Sequence, residues 1–161
     1  MRRTSFAESE CPIANSLELV GEWWSMLILR DAFDGHTRFD DFQRSLGIAP
    51  NMLTRRLAAL VDAGLLEKRP YQQRPPRYEY VLTARGRDFR PVLLALYAWG
   101  DRHLTAEGRN LVLVDRATGE EVSPILVDRA TGRPLNEIDA VFTAGPDAGP
   151  RMRDRYHAEP D

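Results

Sequence analysis

A single cysteine, Cys11, stands in a chain of 161 residues. That scarcity excludes an intrachain disulfide and any multi-cysteine metal site, leaving a free thiol or an intermolecular bond. Histidine is nearly as rare. His36, His103 and His157 lie far apart without helical ligand spacing, so surface or capping roles are expected, with no metal and no cofactor. No Ser-His-Asp set, phosphate loop or carboxylate pair in a plausible pocket appears, so no enzymatic activity is expected. No apolar run approaches the roughly 20 residues needed to span a bilayer, so no membrane role is expected. The opening "MRRTSFAESECP" has basic residues but no apolar stretch of the export type, and a cytoplasmic location is expected.

What is present suits one main domain of ordinary size with a small appendage. The 43% hydrophobic and 29% charged content is that of a soluble globular chain able to bury a real core. The net charge of −2 conceals an uneven distribution. Residues 50–90 hold nine basic and four acidic side chains, whereas residues 105–161 hold seven basic and eleven acidic. A local excess of +5 is what an anionic partner would feel.

Apolar periodicity divides the first hundred residues into helices. "PIANSLELVGE" places Pro12 at a first helical position behind Cys11, with the stripe Ile13, Leu17 and Val20. "WSMLILRDAFDG" is apolar all round and predicts a central buried helix with Trp24, Leu27 and Ile28 in the core. "RFDDFQRSLG" is a short amphipathic helix whose Phe42 and Leu46 face inward and which stops at Gly47. Pro50 then opens "PNMLTRRLAALVDAG", whose Leu53, Leu57 and Leu60 share one side while Asn51 and Arg55 lie roughly opposite, with Thr54 and Arg56 on the flanks. Two short helices around a tight turn make a helix-turn-helix. "LLEKRPY" and "RYEYVLT" read as strands flanking the basic loop "QQRPPR", and one long helix is expected from Ala84 to Leu104. The wide apolar face of that helix exceeds what a small core needs, which points to a homodimer with contacts from Ile13, Leu17, Phe89, Leu93, Leu96, Tyr97 and Trp99.

"LVDRATG" occurs twice, at 113–119 and 126–132. Each copy runs an apolar stretch into Asp-x-x-Thr-Gly, where the side chains can bond turn amides and Gly can take positive φ. A small β-hairpin or meander is expected over 111–138. The last residues, from Thr143, are rich in Pro, Gly and charge and are expected to form a mobile tail.

The stretch from "CPIANSLELVGEWWSMLILRD" through "MLTRRLAALVDAGLLEKR" to "PPRYEYVLTARGRDF" resembles the HxlR family of bacterial winged-helix transcriptional regulators, over roughly residues 11–104. The resemblance implies a mainly α (α+β) fold: a winged helix-turn-helix with a long C-terminal dimerisation helix and a small β-hairpin or meander after it. The domains are then 1–10 as an arm, 11–104 as the DNA-binding and dimerisation domain, 105–141 as the appendage and 142–161 as a tail. It further implies a homodimer on double-stranded operator DNA, acting as a repressor and responding to an electrophile, an oxidant or a small-molecule effector. "MLTRRL" falls on the family's recognition helix, making Asn51, Thr54, Arg55 and Arg56 the readers of base and phosphate, and "QQRPPR" falls on its wing, adding Gln73, Arg74 and Arg77. Two positions depart from the family pattern: Trp23 stands where a basic residue is common, and Ala49 where a capping Ser is common.

Cys11 carries two readings. A free thiol is commonly just buried. At a helix N-terminus the amides and dipole favour the thiolate, against nearby Glu8, Glu10 and Glu18, and the resemblance implies that sensing members use a cysteine at this "CP" position. The repeat also has two. Longer family members carry a zinc ribbon with C-x-x-C-G knuckles where this chain has Asp115, Thr118, Asp128 and Thr131, a poor zinc set, so a metal-free relic is one reading and an unrelated duplicated hairpin the other. A winged helix serving protein or ligand contacts without DNA affinity is the alternative function.

Overall fold

In the computed structural model, which describes residues 5–104 and 111–156, the apolar stripes of the first half fold into four helices. These are α1 (Pro12–Val20), α2 (Trp23–Phe33), α3 (Phe39–Leu46) and α4 (Pro50–Asp62), followed by β1 (Leu66–Gln73), β2 (Pro76–Leu82), α5 (Ala84–Arg87), α6 (Arg90–Leu104) and α7 (Pro150–Tyr156). The described chain divides into two units, one of residues up to Phe89 with those from Thr143 onward, the other Arg90–Phe142.

The core of the first unit is small and aliphatic. Ile28 and Leu29 of α2, Phe42 of α3, and Leu53, Leu57 and Leu60 of α4 are fully buried, with Val20, Ile48, Leu65 and Leu66 nearly so. Trp24 and Leu27, expected in the core, are only half-buried. The helix-turn-helix corner requires left-handed backbone at Gly47 (φ 61°), whose N–H donates to Gln43 O and ends α3. Gly64 (φ 68°) does the same for α4, and the Leu65 N–H reaches back to Leu60 O. That closure turns the chain straight into β1.

β1 and β2 pair antiparallel, with Leu66 opposite Leu82, Lys68 opposite Tyr80 and Pro70 opposite Tyr78, and an irregularity between Pro70 and Gln72. Pairing continues to Gln73 and Pro76, so the expected loop "QQRPPR" contracts to a tight turn at Arg74 and Pro75. Proline can end a hairpin strand because only its missing donor, not its carbonyl, disturbs the ladder. Thr37 O accepts from Tyr80 N at 2.7 Å, which sets the backbone of residue 38 opposite Glu79 in an isolated bridge and ties the start of α3 to the wing.

The expected single helix over 84–104 is two. Thr83 caps α5, its hydroxyl accepting from Gly86 N (2.9 Å) and donating to Gly64 O (2.7 Å), and the helix stops at Arg87. Pro91 explains the break, since it lacks an N–H and its ring clashes with the carbonyl four residues back, that of Arg87. α6 then begins afresh with the proline in its first turn.

In the second unit the repeat folds as two like turns instead of a continuous hairpin. Asp115 accepts from Ala117 N (2.7 Å), and Gly119 (φ 73°) returns its N–H to Asp115 O; Asp128 accepts from Thr131 N and Oγ1 (2.9 and 2.6 Å), and Gly132 returns to Asp128 O. Each turn is closed by one isolated bridge, Val114 with Glu121 and Val127 with Pro134. Two backbone bonds flank each bridge, Asp115 N to Glu120 O and Val122 N to Leu113 O in the first copy, Asp128 N to Arg133 O and Leu135 N to Leu126 O in the second, and the side-chain bonds brace the turn between them. Beyond Thr143, where a mobile tail was expected, α7 forms, and the Gly149 N–H donates to Glu10 Oε2 (3.1 Å). Among the described residues no helix is long and apolar enough to cross a membrane.

Candidate nucleic-acid interface

α4 has one face that cannot turn away from the core and another that must face outward. Leu53, Leu57 and Leu60 are fully buried, and at about 1.5–3 kcal/mol per buried aliphatic side chain they hold the helix in a single rotation. Asn51, Thr54 and Arg55 are consequently exposed together. Thr54 Oγ1 donates to Pro50 O (2.9 Å), and Arg55 Nη2 lies 3.6 Å from Met52 Sδ. Ala49 supplies the extended N-cap backbone (φ −62°, ψ 136°) but no capping side chain, so the first-turn amides lack that partner.

Arg56 does not join this face. Its side chain is only 16% exposed, and its guanidinium lies 3.2 Å from Glu22 at the N-cap of α2. The partly buried ion pair draws it toward α2 and away from the exposed set Asn51, Thr54 and Arg55. Trp23 beside Glu22 is largely exposed.

The wing residues Gln73, Arg74 and Arg77 are all exposed around the hairpin turn, which Gln72 Nε2 fastens by donating to Arg74 O (3.1 Å). Behind the turn, Arg69 bonds Glu67 (2.8 Å). This hydrogen bond holds the Glu67 carboxyl below its ordinary range and raises Arg69 above its own. Two cation-aromatic stacks mark the wing that the motif reading did not single out: Lys68 Nζ sits 4.1 Å from the Tyr78 ring centroid and the Arg38 guanidinium 4.8 Å from that of Tyr71. Arg38, Asp40, Tyr71, Arg77, Tyr78 and Tyr80 line a cleft of about 340 Å³ between the start of α3 and the wing. Burial pushes the Tyr80 phenol above its ordinary value. The interleaving of Lys68, Tyr71, Arg77, Tyr78 and Tyr80 in the sequence was the available signal for this surface.

Cys11 is half-buried at the N-cap of α1; its N–H donates to Ser9 Oγ (3.1 Å), and its side chain makes no capping bond. The dimer candidates fall into two sets. Ile13 (59% exposed) and Leu17 (45%) lie one turn apart on α1, with Phe89 half-buried after α5; Leu96 (52%) and Trp99 (56%) are exposed on α6, where Leu93 and Tyr97 are half-buried. Tyr97 Oη donates to Leu111 O (3.2 Å). Asp31 is buried, gripped by Arg30 (2.7 and 2.9 Å), with His36 Nδ1 3.8 Å from its second oxygen. His103 stacks beside Trp99, and His157 lies outside the described residues. Among the described residues no three His, Cys, Asp or Glu side chains group as metal ligands.

A family model described as HxlR-like helix-turn-helix matches residues 19–108. The chain is 43% identical over 113 residues, 70% of its own length and 72% of the relative's, to the uncharacterized HTH-type transcriptional regulator Rv3095 of Mycobacterium tuberculosis. Among solved structures, PA1374 from Pseudomonas aeruginosa, described as a candidate transcription factor, is 58% identical with a TM-score of 0.65, covering 90% of this chain and 99% of that one. HypR, described as a redox regulator and solved in its reduced form, is 33% identical with a TM-score of 0.54, covering 58% of this chain and 96% of that one.

Proposed function

Since the chain belongs to the HxlR-like helix-turn-helix family of transcriptional regulators, we propose that it binds operator DNA sequence-specifically as a homodimer and represses transcription. The observation that carries this reading is the exposed group Asn51, Thr54 and Arg55, held outward by three fully buried leucines beside a basic wing. Arg55 can fork onto guanine O6 and N7, and Asn51 onto adenine, each discriminating by about 1–3 kcal/mol when bidentate. Gln73, Arg74 and Arg77 reach phosphate or the minor groove, and their contribution weakens with salt. In this reading Arg56 positions α4 through Glu22 and reads no base.

Two copies present two recognition helices to successive major grooves of a pseudo-palindrome. The exposed apolar side chains of α1 and α6 support the pairing, with Ile13, Leu17, Leu96 and Trp99 as its principal contacts and Phe89, Leu93 and Tyr97 behind them. Cys11 is the proposed point of response to an oxidant or electrophile; as the only cysteine of the chain, it pairs with a second copy or with a small thiol and never within the chain. HypR is described as a redox regulator, and the N-cap position of Cys11 supports the same property here. No part of this reading requires a cofactor or metal, and it has the protein act in the cytoplasm, where the chromosome is.

The test is binding of the protein to a duplex of its own promoter region across a salt series, with genome-wide mapping of bound sites before and after a quinone or diamide. Sites lost on treatment in the wild type but kept by Cys11→Ser support the full reading. Absence of DNA affinity at low salt refutes it.

A further inference from the structure

The cleft between α3 and the wing has a chemistry that the motif residues do not account for. Two guanidinium groups line it, Arg38 from the N-cap of α3 and Arg77 from β2, and neither has an ion-pair partner among the described residues. The Arg38 guanidinium carbon sits 4.8 Å from the Tyr71 ring centroid, a cation-aromatic contact that restrains the side chain without using its N–H groups. An unpaired fork held against a ring suits a bidentate anion such as a phosphodiester. The backbone beneath it is tied to the wing, because Thr37 O accepts from Tyr80 N and residue 38 stands opposite Glu79 of β2 in an isolated bridge.

The geometry points to this cleft as a DNA-backbone site, in which Arg38 and Arg77 hold one phosphodiester of the strand that passes between the recognition helix and the wing. Tyr71 acts as the positioning residue for Arg38. The inference rests on the DNA-binding reading above and adds Arg38, Tyr71 and Asp40 to it. Phosphate is favoured over a base because Arg38 and Lys68 already occupy ring faces of Tyr71 and Tyr78, on which a base would otherwise stack. DNA is favoured over an acidic peptide because Arg77 belongs at once to the cleft and to the wing, so the site continues the proposed DNA surface. Asp40 is the one carboxylate that shares the lining, and it opposes an anion there. That opposition makes a second test of opposite sign.

The experiment is fluorescence anisotropy of the full chain on two labelled duplexes, its own promoter region and an unrelated sequence, over a salt series. Arg38→Ala is expected to weaken both duplexes about tenfold and to reduce the slope of log K against log salt by about one. Asp40→Asn is expected to tighten both about twofold to fivefold at low salt, an outcome that misfolding cannot imitate. Tyr71→Leu should weaken binding less than Arg38→Ala while leaving the slope in place. Wild-type isotherms for both Arg38→Ala and Asp40→Asn, with Arg55→Ala impaired, overturn the cleft and leave the DNA-binding reading standing. Loss confined to the promoter duplex makes Arg38 a base reader and overturns a backbone site. If Arg38→Ala instead abolishes only capture of a poly-glutamate peptide, the occupant is an acidic protein. No binding of wild type to either duplex at low salt overturns both readings.

Discussion

Arg56 of α4 and Glu22 at the N-cap of α2 form an ion pair 3.2 Å long in which the arginine is mostly buried. The pair joins α4 to α2. Replacing Arg56 with Ala leaves Glu22 without this partner in a half-buried place and is expected to cost about 1–3 kcal/mol of stability. Urea unfolding measures that loss. Affinity for promoter and unrelated duplexes should then fall together, because a displaced helix presents every contact badly. A changed base preference at unchanged stability would instead make Arg56 a reader.

Arg55→Ala should leave the unfolding free energy within about 0.5 kcal/mol of wild type, since the side chain is exposed and touches Met52 Sδ only at 3.6 Å. Operator affinity should drop by about 1–3 kcal/mol with relaxed preference at one base pair. Competition among duplexes carrying single base-pair changes reads this directly.

Ala49→Ser should stabilise the chain by about 1 kcal/mol. The backbone at 49 is already extended as an N-cap requires, and a hydroxyl there can accept from a first-turn amide that no side chain now serves. An unchanged midpoint in urea would show that solvent already satisfies those amides.

Leu96→Glu and Leu17→Glu should each shift sedimentation velocity toward a monomer at micromolar concentration. Both leucines are exposed in the single chain, so neither change removes core packing, and each places charge where apolar contact with a second copy is proposed. A dimer that survives both substitutions would move the interface elsewhere.

The Asp128 carboxyl is held below its ordinary range by the Thr131 hydroxyl first, then by the amides of Thr131 and Ala130. A depressed folded value means that the turn gains stability above the unfolded value of 3.8 and loses it as pH falls through the folded one. Thr131→Val should therefore raise the Asp128 midpoint toward the free value in a carboxyl-detected NMR titration. No movement would assign the depression to another cause.

Much of the helix-turn-helix is legible before folding. Leu53, Leu57 and Leu60 recur at helical spacing, Gly47 and Gly64 stand where left-handed backbone must end α3 and α4, and Pro50 opens the second helix. Those are local requirements, decided within one turn of the chain. The break between α5 and α6 was legible as well, in Pro91, but the continuous apolar pattern on either side hid it. The Asp-x-x-Thr-Gly turns of the 111–138 repeat were legible too, but period alone could not reveal that each would be flanked by a single isolated bridge, because an apolar approach to a turn looks the same before a ladder or a bridge.

By itself, then, the order of residues determined the helices of the helix-turn-helix, their capping glycines, the hairpin and the outward set Asn51, Thr54 and Arg55. Burial of one stripe forces exposure of the opposite one. Tertiary structure alone decided that Arg56 turns inward to Glu22 and that Arg38 stacks on Tyr71 across a cleft shared with Arg77. These partners lie about 33 to 39 positions apart in sequence. Long, charged side chains have many rotamers of similar energy, and only a partner brought close by the fold selects one.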